Sequence, residues 1–182
     1  NLDYKLIVSV SNIYPIKRLE LILGALFLCK SNIKWIHIGD GSSKNILVEK
    51  SLTLPRNIKV QFLGQKTNNE VIDFLKYNFI HAFINVSSSE GLPVSIMEAI
   101  SFGIPVIATD VGGTNEIVNN KTGYLLEKDF KIGELSEIIE NLGTDKNILT
   151  NKRHEVRKFW EDHFHSENNY KQFIEQISFS SK

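Results

Sequence analysis

The sequence predicts an α/β fold in which a doubly wound, mostly parallel sheet of about six strands is followed by extra C-terminal helices. Until about residue 130, short apolar runs alternate with longer amphipathic segments, which is typical of βαβ units. Connections between parallel strands are right-handed, so such units favour a Rossmann-like arrangement with helices on both faces. The 182 residues, 42% of them hydrophobic, suffice for one domain with a single large core.

Apolar runs rich in Ile, Val and Leu predict the strands, because these residues suit a sheet that is buried on both faces. In chain order the predicted strands are residues 6–10, 35–38, 58–63, 80–86, 105–108 and 123–126. Gly39 and Gly64 follow the second and third runs, where glycine permits a turn. The loops that follow parallel strands gather at one edge of the sheet.

Helical spacing of apolar residues predicts the intervening elements. In chain order the predicted helices are residues 19–28, 44–52, 70–76 and 93–102, the last closed by Gly103. After residue 130 the pattern is only helical, over residues 132–142, a charged stretch through 158–160, and residues 168–177. No repeat, low-complexity segment or linker divides the chain, so residues 1–182 are interpreted as one domain.

Charge and cysteine content exclude some classes of protein. The 21 basic and 21 acidic residues balance, which gives no support for nucleic acid or an anionic membrane as the main partner. The single cysteine, Cys29, is expected to be a buried small residue. It permits no intramolecular disulfide, and no signal peptide or long apolar run is visible, so a reducing, cytoplasmic location is expected.

Polar residues follow the strands at the edge where parallel sheets bind ligands. Five loops carry them, at Ser11-Asn12, Gly39-Asp40-Gly41, Gly64-Gln65-Lys66, residues 87–90 and residues 110–114. Gly39 and Gly41 also resemble part of a dinucleotide fingerprint, but the third glycine is missing and the motif does not follow the first strand. The convergence of these loops predicts a ligand site.

Two acids, Glu90 and Glu98, frame the junction of the fourth strand and the next helix with the spacing E-x7-E. Gly91 permits an unusual backbone shape there, and Pro93 suits the first helical position. The helix start would then present free N–H groups to an anion such as a diphosphate, those of Gly91, Leu92, Val94 and Ser95. Glu98 could accept hydrogen bonds from a ribose diol, and Glu90 could hold hydroxyls of a second sugar.

Other interpretations exist for each of these residues. A single Glu near a helix start would be explained by capping, but two that flank Gly-Leu-Pro favour a ligand. Lys17 could reach a diphosphate, although residue type alone favours a solvated lysine. Gly112 and Gly113 suit either close approach to a ligand or a tight turn. His163 and His165 have no acidic or cysteine partner at ligand spacing, so no metal site is expected.

The segment from Glu90 to Glu98, with the Glu-Ala, Pro-Val and Gly112-Gly113 pattern that follows, resembles the C-terminal, donor-binding domain of GT-B glycosyltransferases of family 4. The similarity runs from about residue 5 to about residue 175. It implies that Glu98 binds the nucleotide ribose, that Glu90 contacts the donor sugar and that Lys17 binds phosphate. Lys17 and Glu90 are therefore the expected catalytic residues.

The resemblance also implies a wider donor site. The residues expected to bind the nucleotide or its sugar are Asn12, Lys17, Arg18, Gly39, Gly41, Gln65, Glu90, Gly91, Leu92, Pro93, Val94, Glu98, Gly112 and Gly113. The donor is expected to be a UDP- or GDP-sugar, and the reaction to proceed with retention and without a metal or other cofactor. A role in bacterial surface polysaccharide synthesis is the leading expectation.

The sequence departs from the family pattern in three ways. Ser11 and Asn12 stand where many members have Gly-Arg, so either Lys17 carries more of the phosphate charge or Arg18 assists it. Pro93 stands where many members have Gly. The third departure is length, because members have a second, N-terminal Rossmann-like domain that binds the acceptor.

The missing N-terminal domain and the first residue, Asn1, suggest an excised half. Such a half is expected to bind a sugar nucleotide weakly and to transfer nothing, with any membrane association made at the inner face and only through the full-length protein. Two alternatives stay open. The chain could be half of a GT-B sugar-nucleotide epimerase, or a Rossmann-like module that binds nucleotide without catalysis.

Overall fold

The computed structural model of the protein describes residues 4–165. Within them, six parallel strands form one sheet in the order β3-β2-β1-β4-β5-β6. The strands are β1 (Lys5–Val10), β2 (Ile33–Ile38), β3 (Ile58–Phe62), β4 (Ala82–Asn85), β5 (Val106–Thr109) and β6 (Gly123–Leu126). This is the strand order of a doubly wound Rossmann-like sheet, so the predicted fold class is confirmed.

Seven α-helices connect and cover the strands in the described part of the chain. They are α1 (Leu19–Leu28), α2 (Lys44–Ser51), α3 (Asn68–Tyr77), α4 (Val94–Ser101), α5 (Thr114–Ile117), α6 (Ile132–Asn141) and α7 (Lys146–His163). A short 3₁₀ helix, Pro15–Lys17, precedes α1. The helix predicted at residues 168–177 lies outside the described residues.

The core has two layers because successive residues of a strand point to opposite faces of the sheet. In β1, Ile7 packs in the layer that includes α1 and α6, whereas Val8 packs in the layer that includes α4 and α7. Trp35 on β2 and Phe83 on β4 are fully buried in these two layers. Burial of such a side chain contributes about 1.5–3 kcal/mol, which explains why the apolar runs identified the strands.

The structure shifts several predicted boundaries. β4 is shorter than residues 80–86 at both ends. Before its first residue, His81 contacts β1 partly through its ring, whose Nδ1 accepts from the N–H of Leu6 at 3.0 Å. β2 begins earlier than residue 35, at Ile33, since the half-buried Lys34 interrupts the apolar run without ending the pairing. The short helix α5 and the 3₁₀ turn are too short to show a period.

Pro93 is the N-cap of α4 rather than its first helical residue, so the predicted start of this helix is wrong by one position. Its ψ of 97° is extended, and its carbonyl accepts hydrogen bonds from Ile96 and Met97. At the other end, α4 stops at Ser101, one residue before the predicted end, and Gly103 occupies the predicted C′ position with a φ of +70°.

The central strands β1 and β4 are neighbours, and the sheet order reverses between them. Chain connections leave this point in opposite directions, which opens a crevice beyond the carboxyl ends of the two strands. The loop from β1 to α1 forms one side of this crevice, and the loop from β4 to α4 forms the other.

Candidate functional site

An open cleft of about 310 Å³ lies at the switch point between β1 and β4. Four of the five predicted loops contribute to its lining, together with the start of α4. The lining residues are Val10, Ser11, Asn12, Lys17, Ile38, Gly39, Gln65, Lys66, Val71, Glu90, Leu92, Pro93, Val94 and Ser95. The sequence therefore placed the cleft correctly and identified most of its polar residues.

Lys17 and Glu90 form an ion pair at the rim of the cleft, with 2.7 Å between Nζ and Oε1. The same Oε1 accepts hydrogen bonds from the hydroxyl of Ser87 at 2.6 Å and from the amide of Asn85 at 3.0 Å. Within the described residues no hydrogen bond reaches Oε2 of Glu90. The Glu90 side chain is only 12% exposed, so its carboxylate is held rigidly while one oxygen remains available.

The surroundings of Glu90 keep its carboxyl group ionised. Burial raises its pKa, but the hydrogen bonds from Lys17, Ser87 and Asn85 and the positive charge of Lys17 outweigh that effect, and the pKa lies below its usual value. The carboxylate is therefore an acceptor at neutral pH, as the predicted contact with sugar hydroxyls requires.

The start of α4 presents backbone N–H groups without partners. Pro93 offers no capping side chain, and in the described structure no hydrogen bond is donated by the N–H groups of Gly91, Leu92, Val94 and Ser95. Leu92, Val94 and Ser95 line the cleft. With the positive end of the helix dipole, they make this wall suitable for an anion.

The Gly112-Gly113 turn supports the cleft from behind instead of lining it. Gly112 has a φ of +55°, and a Cβ there would lie 1.9 Å from the carbonyl oxygen of Glu90. The N–H of Gly113 donates to the carbonyl of Gly91 at 2.9 Å. The close approach made possible by these glycines is thus to the backbone of residues 90–91. Gly91 itself has no positive φ, and a Cβ there would meet nothing within 4 Å, so the predicted unusual backbone at Gly91 is wrong.

Glu98 lies about one turn beyond the part of α4 that lines the cleft. Its Oε1 accepts a hydrogen bond from the amide of Asn68 at 2.7 Å, so it joins α4 to the first residue of α3. Gln65 and Lys66, in the loop before α3, line the cleft. Glu98 is therefore outside the cleft lining, near the rim formed by the α3 and α4 starts.

Arg18 is oriented differently from the sequence expectation. Its guanidinium donates to three backbone carbonyls, those of Val86 at 2.8 Å, Ser87 at 3.2 Å and Lys128 at 2.8 Å. It also lies 5.8 Å from the ring centre of Phe130. Arg18 does not line the cleft, and its contacts tie three loops of the carboxyl edge together.

A series of buried hydrogen bonds supports the opposite side of the cleft. The indole N–H of Trp35 donates to Oγ of Ser9 at 2.9 Å, and Ser9 lies 2.8 Å from Nδ1 of His37. Nε2 of His37 is 3.1 Å from the carbonyl oxygen of Ser11, so it carries the proton and donates it there. Burial lowers the pKa of His37 to about 4, so its ring is neutral at pH 7. The hydrogen bond from this ring to Ser11 fixes the loop that carries Asn12.

Two predicted glycines in this loop cluster behave differently. Gly39 lines the cleft and has a φ of +141°, and a Cβ there would lie 1.9 Å from the carbonyl oxygen of Ser11. Gly41 does not line the cleft. Its N–H donates to the carboxylate of Asp40 at 2.8 Å, and the other oxygen of Asp40 binds Lys44.

Sequence reasoning named Ser87 and Lys66 only as members of two predicted loops, and it did not name Asn85 as a site residue. Asn85 and Ser87 orient Glu90, and the signal for Asn85 was an amide at the carboxyl end of a buried strand. Lys66 lines the cleft and pairs with Glu70 at 2.9 Å. The role of His37 could not be identified, because a histidine in a strand pattern is more often simply packed.

Across residues 4–165, no three His, Cys, Asp or Glu side chains are grouped closely enough to hold a metal ion. In the same residues no helix is both long and apolar enough to cross a membrane.

The sequence and the fold both match those of known glycosyltransferases. A family model described as glycosyl transferases group 1 matches residues 1–160. N-acetyl-alpha-D-glucosaminyl L-malate synthase of Bacillus anthracis is 27% identical over 166 residues, 90% of this chain and 42% of that protein. The capsular polysaccharide biosynthesis glycosyltransferase CapM of Staphylococcus aureus is 33% identical over 139 residues, 75% of this chain and 35% of that protein.

Among solved structures, Anabaena Alr3699/HepE in complex with UDP and glucose superposes with a TM-score of 0.77 at 22% identity, over 97% of this chain and 48% of that one. The likeness at this identity establishes the fold, that of one half of a GT-B glycosyltransferase. The chain spans less than half the length of each of these three proteins.

Proposed function

The chain belongs to the glycosyl transferases group 1 family, and we propose on that premise that its cleft binds a nucleotide diphosphate sugar as the donor in glycosyl transfer. The observation that carries the proposal is the pairing of an anion site with a held carboxylate. Free N–H groups at the start of α4 face the same cleft as the Lys17–Glu90 ion pair.

The diphosphate would lie against the start of α4. The unpaired N–H groups there and the Lys17 ammonium supply donors and positive charge on two sides of one cleft. Lys17 has three N–H donors, of which Glu90 takes one. The others would stabilise charge that develops on the leaving diphosphate. This arrangement supports a reaction in which no metal is needed to stabilise the leaving group, and retention is proposed from the family resemblance alone.

The two acids would hold the two sugars. Oε2 of Glu90 would accept hydrogen bonds from the transferred sugar, because the other oxygen is occupied by Lys17, Ser87 and Asn85. The carboxylate of Glu98 would accept hydrogen bonds from the ribose diol, either in place of the one from Asn68 or in addition to it. Gln65 and Lys66 would lie near the base. UDP is the preferred nucleotide, since the structurally similar Alr3699/HepE was solved with UDP.

A second domain would complete the active site. Four apolar side chains beside the cleft are between 46% and 63% exposed, those of Tyr14, Ile16, Leu92 and Val94. Exposed apolar groups clustered around a polar cleft are typical of a surface that another protein surface covers. The N-terminal half of a GT-B enzyme would cover it and bring the acceptor, which for relatives such as CapM belongs to polysaccharide biosynthesis.

Calorimetric titration of the chain with UDP, GDP and uridine tests the proposal. We expect UDP to bind, and Lys17→Ala to weaken UDP roughly tenfold or more while uridine changes little, because only the diphosphate contacts the ammonium. Lys152→Ala is the matched control, since Lys152 pairs with Glu155 on α7, away from the cleft. Failure of both nucleotides to bind, or equal losses for UDP and uridine in Lys17→Ala, would contradict the proposal.

A further inference from the structure

Arg18 combines an unusual backbone conformation with an unusual set of contacts. Its φ of +48° is the only positive φ of a non-glycine residue in residues 4–165. It lies at the N-cap of α1, where its backbone carbonyl accepts from Leu21 while no side-chain cap is made. A bulky residue in this left-handed region is strained, and such strain persists where surrounding contacts enforce it.

The contacts of the guanidinium enforce it here. Nε, Nη1 and Nη2 each donate to a backbone carbonyl, at Val86, Lys128 and Ser87 respectively. These carbonyls belong to the loops that follow β4 and β6. The backbone adds a further link, because the N–H of Ser88 donates to the carbonyl of Ile16 at 2.9 Å. Arg18 thus joins the β1–α1 loop to the loops that follow β4 and β6.

These contacts and the Lys17–Glu90 ion pair together form a closed ring of four residues. Arg18 binds the carbonyl of Ser87, the hydroxyl of Ser87 binds Oε1 of Glu90, and Oε1 binds Nζ of Lys17. Lys17 is the residue directly before Arg18 in the chain. Every link of the ring is a hydrogen bond or a peptide bond, so the position of the Lys17 ammonium depends on the conformation of Arg18.

We propose that Arg18 is a positioning residue that sets the Lys17 ammonium against Glu90 at the rim of the cleft. It acts through Lys17 and Ser87 and does not itself contact the diphosphate, which differs from the direct role expected from the sequence. The consequence for donor recognition rests on the proposed function. The consequence for the geometry of the ion pair does not.

Arg18→Gly is the informative variant, because glycine adopts a positive φ without strain while the guanidinium contacts are lost. Arg18→Ala removes the same contacts but keeps a side chain that disfavours the left-handed region. Arg56→Ala is the matched control, an exposed arginine in the turn before β3, at the opposite edge of the sheet from the cleft. Thermal unfolding identifies which variants remain folded.

Two measurements on Arg18→Gly decide the proposal. Without nucleotide, carbon NMR titration of the Glu90 carboxyl should show its pKa rising, because Lys17 is no longer held against it while the burial that raises the pKa remains. With nucleotide, the dissociation constant for UDP should rise roughly tenfold and that for uridine by less than about twofold. Arg56→Ala should change neither quantity.

The outcomes separate this proposal from the proposed function. An unchanged Glu90 pKa in Arg18→Gly overturns the positioning role, including the case in which UDP affinity falls, since that would mean direct phosphate contact. Equal losses for UDP and uridine overturn it as well. If the parent chain binds no nucleotide, the proposed function fails while the Glu90 titration still decides the role of Arg18.

Discussion

At the scale of single residues, the two acids of the E-x7-E motif have different surroundings. Glu90 has three hydrogen-bond donors on one oxygen and is largely buried. Within residues 4–165, the carboxylate of Glu98 has one hydrogen bond, from Asn68 at the rim. A rigid carboxylate suits a group that must hold a reacting sugar in one orientation. A carboxylate with a single exchangeable partner suits a group that binds a diol on arrival of the ligand.

This difference yields a test of the ribose assignment of Glu98. The parent chain should bind UDP roughly tenfold or more tightly than 2′,3′-dideoxy-UDP, because two hydrogen bonds to a charged acceptor are lost with the diol. In Glu98→Ala the two ligands should bind alike, and calorimetry measures both. Asn68→Ala is the control and should preserve the difference. A preference for UDP that survives in Glu98→Ala would exclude the assignment.

The buried histidines give the stability of the chain a dependence on pH. The pKa values of His37 and His81 are lowered by burial to about 4, compared with about 6.5 in an unfolded chain. Between these values the unfolded chain binds more protons than the folded one, so the stability contributed by the two histidines falls as pH drops from about 6.5 to about 4 and is constant above that range. Each histidine accounts for about 3 kcal/mol at the lower limit.

Urea unfolding at pH 7.5, 6, 5 and 4 measures this loss. His37→Gln should remove about half of the dependence, and His154→Gln, at an exposed position of α7, should leave it intact. The acids with lowered pKa values, such as Glu90 and Glu140, lose their contribution only at lower pH, through and below about 4.5. A free energy of unfolding that stays constant from pH 7.5 to 5 would contradict the prediction.

At the scale of elements, the cleft wall is one loop supported by another. The loop at residues 90–91 leads into α4, and the Gly112-Gly113 turn packs directly against its backbone. The glycine positions differ sharply in what they tolerate. A Cβ at Gly112 would collide with the Glu90 carbonyl in a left-handed conformation, whereas a Cβ at Gly91 would meet nothing within 4 Å.

We therefore expect Gly112→Ala to destabilise the chain by more than about 2 kcal/mol, since it adds backbone strain and a steric clash. Gly91→Ala should lie within about 0.5 kcal/mol of the parent. Chemical denaturation measures both changes, provided that the unfolding free energy depends on denaturant concentration with the same slope in each variant. UDP titration of Gly112→Ala should show weakened binding because residues 90–91 must move. Similar stability in the two variants would mean that the turn does not support the cleft wall.

Elements that depend on local signals could be predicted from the sequence, whereas contacts between distant loops could not. β6 was predicted at its observed bounds and α1 likewise, because apolar period and turn residues are local signals. The ring through Arg18, Ser87, Glu90 and Lys17 was not predictable, because it is made of hydrogen bonds between loops far apart in the chain. Likewise, Pro93 was assigned one position too far inside α4, since the proline ring fixes φ but leaves ψ free to be helical or extended.

At the scale of the whole molecule, the described residues provide one side of the proposed reaction site. The cleft holds groups suited to a donor, and apolar side chains surround it. The chain covers 42% and 35% of the two curated relatives compared with it. Transfer needs an acceptor hydroxyl held near the sugar, and proximity of this kind supplies a large part of enzymatic rate enhancement.

We accordingly expect the 182-residue chain neither to transfer nor to hydrolyse the sugar of UDP-glucose, used as a test donor. Free glucose and UDP released from UDP-glucose, measured by chromatography over hours, should equal the release seen with Lys17→Ala, because neither protein positions an acceptor. Binding of UDP in the same preparation shows that the site is intact. Release by the parent chain that Lys17→Ala abolishes would mean that this half alone assembles a competent site, and that a second domain contributes specificity for the acceptor instead of catalysis.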